Sequence, residues 1–398
     1  MPVLVDSVFH RPIYLGAATR TPIGKFGGSL KKFTAPQLGT LALSAALKRA
    51  PEAPTPDWVL VGHARQAGAG PNPARQICIF SGLPDSVPAL TLNQACASGM
   101  TAVFNAMEKI AMGKAHSIWA GGTESMSNTP YLLPQARWGL RLGHSTVLDG
   151  MVQDGFHCPM ADMVMGETVE RFLAQELGIT RQEQDEYALS SQTKAELAWK
   201  SGAYSEETFS IETGGGKSTT PLFSEDEHRR PETTLTSLGR LTPVFDPKNG
   251  TITAGNSSGI TDGAAFLHVS DQRFSHAQAE ILDFESIALD PKKMGLGPIQ
   301  AIQNLISRHK LSVQDLESVE INEAFAAQVL ACQRILKIPP RNLNPRGGAI
   351  AIGHPIGASG ARVLVTLLHT LKGKKGALGV AALCVSGGQG TAVLVRSL

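Results

Sequence analysis

The stretch ASGMTAVFNAMEKIAMGKAHSIWAGG (97–122) returns near the end of the chain as ASGARVLVTLLHTLKGKKGALGVAALCVSGG (358–388). Both stretches have the same order: a turn of small residues, an apolar helical pattern, a Gly-Lys pair, a strand-like run and a Gly-Gly pair. A repeated order of this length indicates a duplicated unit. The two small-residue turns then occupy equivalent places in two similar halves, and a site at their junction can draw residues from both.

Short strand-like runs alternate with helical patterns through both halves, which predicts α/β architecture. The predicted strands include 58–61, 117–120, 378–383 and 392–395. The stretch 128–255 between the halves differs in pattern and reads as a large insertion over the sheet layers. Within it, Thr180 followed by Glu183 forms a capping-box signature, which predicts a helix over 181–200.

Composition limits the classes of function. The chain has 398 residues, 42% of them hydrophobic, and a formal net charge of +2, so we expect two or three domains and no nucleic-acid partner. A basic spot at His228, Arg229 and Arg230 can still meet a small anionic ligand. Because the sequence shows neither a signal peptide nor a transmembrane run, we expect a soluble cytoplasmic protein with no membrane partner.

The five cysteines, Cys78, Cys96, Cys158, Cys332 and Cys384, are widely spaced and form no CxxC pair. This spacing favours reduced thiols over a disulfide framework or a structural zinc site. Cys96 lies at the start of a predicted helix, where the helix dipole favours thiolate. Its small neighbours allow close approach of another molecule, so Cys96 is a candidate nucleophile, although a buried core cysteine is the alternative.

Three further residues are candidates for chemistry. His354 lies in a glycine-rich segment before Pro355, and Cys384 follows an apolar strand and precedes a glycine-rich loop. Such a loop with exposed backbone N–H groups suits an oxyanion hole beside a proton donor or acceptor. Asn322 lies between a strand and a helix, either as a helix cap or as an amide that orients a water or a carbonyl oxygen. Structural roles for His354 and Cys384 remain open from these patterns alone.

These segments together resemble the thiolase family over nearly the whole chain. The motifs that carry the resemblance are RTPIGKFGG (20–28), QAGAGPNPARQ (66–76), NQACASGM (93–100), AGGTESMS (120–127), TAGNSSGITDGAA (253–265), INEAFAAQ (321–328), GGAIAIGHPIGASGAR (347–362) and ALCVSGGQG (382–390). GHPIGASGAR and DEHRRPETT (226–234) are most similar to acetyl-CoA acetyltransferases within the family. By contrast, a Rossmann cofactor site is not expected, because no GxGxxG follows a first strand.

The resemblance implies a thiolase-like α/β fold, with duplicated mixed-sheet halves in αβαβα layers and a large inserted loop domain. The N-terminal half would comprise residues 1–127 and 256–275, the CoA-binding loop domain 128–255, and the C-terminal half 276–398. It also implies a homo-oligomer, tetramer or dimer, with QAGAGPNPARQ near the dimer interface.

The resemblance further implies a ping-pong acyl transfer between CoA thioesters, with acetyl-CoA as substrate, no permanently bound cofactor and no metal. Cys96 would carry the acetyl group and His354 would take its proton. Cys384 would remove the C2 proton of a second acetyl-CoA, and Asn322 would hold a water that stabilises the enolate oxygen. The backbone N–H groups of Cys96 and Ser386 would form the second oxyanion hole.

For CoA, the resemblance points to Ser258 at the pantetheine arm, to Arg230 and Ser237 near the adenine and phosphates, and to Met165 beside the acyl pocket. Val164 and Phe156 depart from the pattern of short-chain members, which leaves chain length open. A broad-chain-length 3-ketoacyl-CoA thiolase is therefore the first alternative. A condensing enzyme that uses a carrier protein and a non-catalytic CoA-binding module are the others.

Overall fold

Nine strands form the main path of one mixed sheet in the computed structural model, which describes residues 5–214 and 222–398. The strands of this path are β1 Tyr14–Arg20, β2 Trp58–Gly62, β3 Ala89–Leu92, β4 Ser117–Ser125, β5 Thr261–Ser270, β6 Ala277–Ala288, β7 Leu316–Ile321, β8 Leu378–Val385 and β9 Gln389–Ser397. The short strand Gly24–Lys25 pairs with β5 at the side of this path.

The helices lie between and beside these strands. Their bounds are α1 Ala35–Arg49, α2 Pro73–Phe80, α3 Ser98–Ala111, α4 Met165–Val169, α5 Arg181–Lys200, α6 Leu235–Gly239, α7 Gly297–Arg308, α8 Ala326–Leu336, α9 Ala349–Ile352 and α10 Ile356–Leu371. Among the described residues, none of them combines the length and apolar character that a membrane span requires.

The sheet repeats one topology on either side of its centre, where β1 pairs antiparallel with β6. Its order is β7-β8-β9-β6-β1-β5-β4-β2-β3. Counted outward from the centre, the first half contains β1, β5, β4 and β2, and the second half contains β6, β9, β8 and β7. In each half these are the first, last, penultimate and second strands in chain order. The third strand is β3 in one half, and in the other it is reduced to a single parallel bridge between Val319 and Leu343. This matched order agrees with the repeat in the sequence.

The buried apolar residues separate into layers, because neighbouring residues along a strand point to opposite faces of the sheet. The inner faces of both halves pack against α3 and α10 in one core. The outer face of the first half packs against α1 and α2, and that of the second half against α7 and α8. Helices therefore lie between the two half-sheets and outside each of them, in the predicted αβαβα arrangement.

Helices α3 and α10 meet where the sequence repeat places equivalent glycines, Gly99 and Gly360. A Cβ at Gly99 would lie 2.9 Å from the backbone nitrogen of Ala361, and one at Gly360 would overlap the backbone nitrogen of Met100. Only glycine permits this approach of the two backbones. The first turns of the two helices are therefore held in contact.

The secondary structure predicted from the sequence agrees with the observed elements. The strands predicted at 58–61, 117–120, 378–383 and 392–395 correspond to β2, β4, β8 and β9, each of which extends further. Helix α5 begins and ends where predicted, and Thr180 and Glu183 form the reciprocal capping box. The fold class is confirmed. The three domain boundaries stay a prediction, and residues 1–4 and 215–221 within them lie outside the described residues.

We predict that Gly360→Ala destabilises the protein by about 1–3 kcal/mol, because the added methyl group overpacks the contact between α3 and α10. The free energy of unfolding in urea measures this effect. Gly239→Ala is the matched control, since an added Cβ at Gly239 in α6 meets nothing within 4 Å. Equal stability of the two variants would contradict the close contact.

Candidate active site

A cavity of about 380 Å³ opens where the first turns of α3 and α10 meet the end of β8. Cys96, His354 and Cys384 all line it, so three of the four predicted catalytic residues share one space. The rest of the lining is mostly apolar and comes largely from 156–166 and 244–254 of the predicted insertion, from 257–260 directly after it and from 324–325. The structure therefore brings residues of both halves together at one site.

Cys96 lies in the 3-10 turn Ala95–Ala97, directly before α3, and is 5% exposed. Ala95 adopts a φ of +46°, a left-handed conformation that a non-glycine residue rarely takes, and this local strain helps to set the turn that presents the sulfur. The backbone N–H of Ser386 donates a hydrogen bond to Sγ. Burial nevertheless raises the pKa of the Cys96 thiol, and neither this hydrogen bond nor the nearby charge of Arg65 outweighs it. Burial therefore outweighs the preference for thiolate expected from the helix start, and Cys96 is a thiol in the free enzyme.

His354 is held as a neutral imidazole of defined tautomer. The Ser359 hydroxyl donates to the carbonyl oxygen of Pro355 at 2.9 Å, so its oxygen accepts from His354 Nδ1 at 2.5 Å. Nε2 is then the basic nitrogen. Burial, with the charges of Arg362 and Arg65, lowers the pKa of His354 to about 3. An imidazole that is neutral and presents Nε2 can accept a proton from a thiol.

Asn322 follows β7 and is fully buried. Its Oδ1 accepts from Arg362 at 3.0 Å, which orients its Nδ2 toward His354 Nε2 at 3.3 Å. Helix α8 begins four residues later, at Ala326, and its N-cap is Phe325. The alternative of a helix-capping Asn322 is therefore wrong. Its side chain instead contacts the imidazole.

Cys384 lies near the end of β8 and is 1% exposed. Burial raises the pKa of its thiol well above the usual value, and a negative charge on Cys96 would raise it further. The loop after it takes positive φ at Gly387 and Gly388, of 86° and 76°, whereas Ser386 is not among the positive-φ residues. A serine at position 386 therefore leaves the backbone N–H available without a conformational penalty.

The predicted CoA contacts divide into two groups. Ser258, Met165 and Phe156 line the cavity, as does Val164. Arg230 and Ser237 lie on the exposed surface and are not part of that lining.

The predicted basic spot carries less positive charge than its sequence indicates. Arg229 is ion-paired with Glu196 at 2.6 Å and also with Glu225. Burial and the charge of Arg230 lower the pKa of His228 to about 4, so that its ring is neutral near pH 7. The ring packs directly against Gly259, next to Ser258. Within the predicted basic spot, Arg230 thus remains as the exposed cation.

Sequence reasoning missed four polar residues behind the site. Ser359 and Arg362 follow His354 by five and eight residues and act on His354 and Asn322. Glu124 is fully buried, accepts from the backbone of Gly357 at 2.9 Å and lies 3.2 Å from His63 Nε2. Ser359 and Arg362 are three residues apart in α10 and therefore lie on the same face of the helix. This spacing, so soon after His354 in the sequence, was the signal that could have identified them. No comparable pattern marks Glu124.

The part of the chain that the structure describes contains no cluster of three or more His, Cys, Asp or Glu side chains placed to hold a metal ion. Its five cysteines are all free and buried. The geometry thus assembles two thiols, one neutral imidazole and directed backbone N–H groups in an apolar cavity. Such a set can perform nucleophilic acyl transfer and proton transfer.

Comparison with known proteins agrees with this class of chemistry. Family models described as the N-terminal and C-terminal domains of thiolase match residues 13–272 and 275–397. An acetyl-CoA acetyltransferase of Cupriavidus necator is 44% identical over 390 residues, covering 96% of this chain and 99% of that protein. One from Escherichia coli is 45% identical and covers 96% and 98%. Human mitochondrial 3-ketoacyl-CoA thiolase in complex with CoA superposes with a TM-score of 0.92 at 38% identity, covering 98% of each chain.

The fold and the site thus define an acyltransferase enzyme of α/β class. The chain belongs to the thiolase family, whose members use coenzyme A as a substrate.

We predict that the rate of Cys96 alkylation by iodoacetamide rises about tenfold per pH unit between about pH 7 and pH 9 in the free enzyme. The reason is that a raised thiol pKa keeps the thiolate a minor species, which grows as the pH approaches that pKa. Mass spectrometry of the Cys96 peptide measures the rate, and Cys96→Ser is the blank. A rate plateau that begins near neutral pH would instead mean that a thiolate–imidazolium pair already exists.

Proposed function

We propose that this protein is an acetyl-CoA C-acetyltransferase that interconverts two acetyl-CoA with acetoacetyl-CoA and CoA through an acetyl-Cys96 intermediate. The observation that carries the proposal is the shared cavity, in which Cys96 and Cys384 face a neutral His354 of fixed tautomer. The names of the bacterial relatives support the same activity.

In the first half-reaction, Cys96 Sγ attacks the thioester carbonyl of acetyl-CoA while His354 Nε2 takes the thiol proton. The carbonyl–sulfur bond to CoA then breaks, and the departing CoA sulfur receives that proton from His354. Because burial lowers the pKa of His354 to about 3, the imidazolium form is short-lived and returns its proton readily. The acetyl group remains on Cys96.

In the second half-reaction, the Cys384 thiol gives its proton to His354, and the resulting thiolate removes a proton from C2 of a second acetyl-CoA. The enolate carbon then attacks the acetyl carbonyl on Cys96, and the Cys96 thiolate leaves and takes the proton from His354. Acetylation also removes the negative charge that a Cys96 thiolate would place beside Cys384, and that charge is one cause of the raised pKa of Cys384. The Cys384 thiol is therefore easier to ionise in the acetyl-enzyme than beside a Cys96 thiolate.

Two oxyanion sites accompany these steps. A water held by Asn322, together with His354, stabilises the enolate oxygen. The backbone N–H groups of Cys96 and Ser386 stabilise the tetrahedral intermediates. Support comes from the Ser386 N–H that is directed at Cys96 Sγ and from the amide of Asn322 that Arg362 orients. Each such donor contributes about 3–4 kcal/mol to barrier reduction in comparable sites.

For the CoA moiety, Ser258 at the cavity lining contacts the pantetheine arm, while Arg230 and Ser237 on the exposed surface contact the adenine and phosphates. The mostly apolar lining suits the arm and the acyl group, and an exposed cation suits a phosphate.

A 3-ketoacyl-CoA thiolase of broad chain length is the second candidate, because Val164 and Phe156 line the acyl side of an apolar cavity. The superposition on human mitochondrial 3-ketoacyl-CoA thiolase is consistent with it. Comparable kcat/KM values for acetoacetyl-CoA and a longer 3-ketoacyl-CoA would support this candidate. No activity on the longer substrate would exclude it.

We also propose a homo-oligomer, tetramer rather than dimer, in the cytoplasm. Large apolar side chains are exposed in the insertion, including Trp138 at 82% and Leu142 at 98%. Exposed apolar patches of this kind are typical of protein interfaces. Light scattering of Trp138→Ser/Leu142→Ser should show a smaller assembly than the wild type, and an unchanged mass would exclude this surface as an interface.

We predict that brief incubation with acetyl-CoA adds one acetyl group to the wild type and none to Cys96→Ala, because Cys96 is the acyl carrier. Intact-protein mass spectrometry detects the adduct, and Cys158→Ala is the control that should still be acetylated. Absence of an adduct on a folded protein that binds CoA would favour the non-catalytic CoA-binding module.

We predict that Cys384→Ala still forms the acetyl-enzyme but loses acetoacetyl-CoA synthesis by at least about a thousandfold, because the C2 proton has no base. The two half-reactions are measured separately, by mass spectrometry and by CoA release. A near-normal synthesis rate would remove Cys384 from the mechanism.

A further inference from the structure

Arg65 is a buried cation that the proposed mechanism leaves unused. It follows β2 by three residues and is only 4% exposed. Its Nε and Nη1 have no hydrogen-bond partner within the described part of the chain. Burial of unpartnered guanidinium nitrogens lowers stability, so a simple space-filling role does not explain this residue.

The backbone N–H of Arg65 donates to the buried Glu124 at 3.3 Å, and the charge of Glu124 favours the Arg65 cation. The contacts of the Arg65 side chain are concentrated on one short segment, the π-helical turn Val152–Phe156 and the residue before it. The guanidinium lies over the ring of Phe156, 5.0 Å from its centroid, and Nη2 donates to the carbonyl oxygen of Met151 at 3.4 Å. It also lies so close to Gly155 that a Cβ there would overlap it. Arg65 thus contacts both ends of the turn and its glycine.

This turn forms the wall beside the nucleophile. Phe156 lines the 380 Å³ cavity, whereas Gln153, Asp154 and Gly155 line a second cavity of about 170 Å³. Cys96 and Met165 line both cavities. The position of the turn therefore decides whether the space around the acyl carrier ends at Phe156 or continues into the second cavity.

We propose that Arg65 is a positioning residue that limits acyl-chain length, because its guanidinium holds Phe156 and Gly155 as the wall between the two cavities. The proposal rests on the proposed acyl transfer and specifies its substrate class: a wild type that prefers acetyl and acetoacetyl groups. The cation–π contact, worth more where it is desolvated, supplies the attraction, and Gly155 allows the close approach. Longer acyl chains would enter once the ring is released.

The kinetic test compares Arg65→Met, Phe156→Leu and the double variant with the wild type. The readout is the ratio of kcat/KM for 3-ketohexanoyl-CoA to that for acetoacetyl-CoA. We expect each single variant to raise this ratio by about tenfold, the scale of pocket discrimination by one or two methylenes, and the double variant to add little. Non-additivity distinguishes action through Phe156 from general loosening.

Arg273→Met is the matched control, an exposed arginine in the turn after β5, and its ratio should equal that of the wild type. If Arg65→Met does not fold, Gly155→Ala replaces it, since the added methyl group displaces the guanidinium while the backbone tolerates alanine. An unchanged ratio in whichever of these two variants folds would overturn the proposal. Additive effects of Arg65→Met and Phe156→Leu would also overturn it.

A readout without catalysis separates this proposal from the proposed function. The alkylation rates of Cys96 by iodoacetamide and by N-hexyl iodoacetamide are compared in the wild type and in Arg65→Met. We expect the variant to gain about tenfold on the larger reagent relative to the smaller one. If Arg65→Met gains on the larger reagent but the protein transfers no acetyl group, the role of Arg65 in holding the wall stands and the proposed enzyme activity is rejected. If the protein is active but the ratio of the two alkylation rates is unchanged in Arg65→Met, only the role of Arg65 is rejected.

Discussion

The contact between α3 and α10 at Gly99 and Gly360 is the constraint on which the site depends. The two helices buried between the halves of the sheet bring their backbones close together at these glycines, and a side chain at either position would separate them. Because the contact lies near the N-terminus of each helix, the segments before the two helices meet at one cavity. Those segments carry Cys96 in one half and His354 in the other, each two residues before its helix. The fold thus creates the chemical site through a packing requirement.

Burial is the second constraint, and it determines the protonation states. Cys96, His354 and Cys384 are each at most 6% exposed, so the charged form of each is disfavoured. The free site therefore contains two thiols and one neutral imidazole. Hydrogen bonds orient these neutral groups. Ser359 fixes the tautomer of His354, and Arg362 orients the side-chain amide of Asn322. The polar groups behind the cavity thereby define which atom accepts a proton.

The sequence was sufficient to predict the fold class, the bounds of α5 and four of the nine strands on the main path of the sheet, because capping boxes and apolar periodicity are local signals. It also placed Cys96, His354 and Cys384 in glycine-rich turns, and these three line one cavity. It did not predict that burial outweighs the helix dipole at Cys96, since desolvation depends on residues distant in the chain. The role of Asn322 was ambiguous for the same reason, because its partners Arg362 and His354 lie 40 and 32 residues away.

The two thiols impose an order on the proposed chemistry. In one buried cavity, a negative charge on Cys96 raises the pKa of Cys384, so two thiolates at once are strongly disfavoured. Acetylation converts Cys96 into a neutral thioester and removes that repulsion. Deprotonation of Cys384 is thus easier in the acetyl-enzyme, where an acetyl group is ready to be attacked, than beside a Cys96 thiolate. The enolate then forms beside its acceptor, and the thiolate released on Cys96 again opposes ionisation of Cys384 after the carbon–carbon bond has formed.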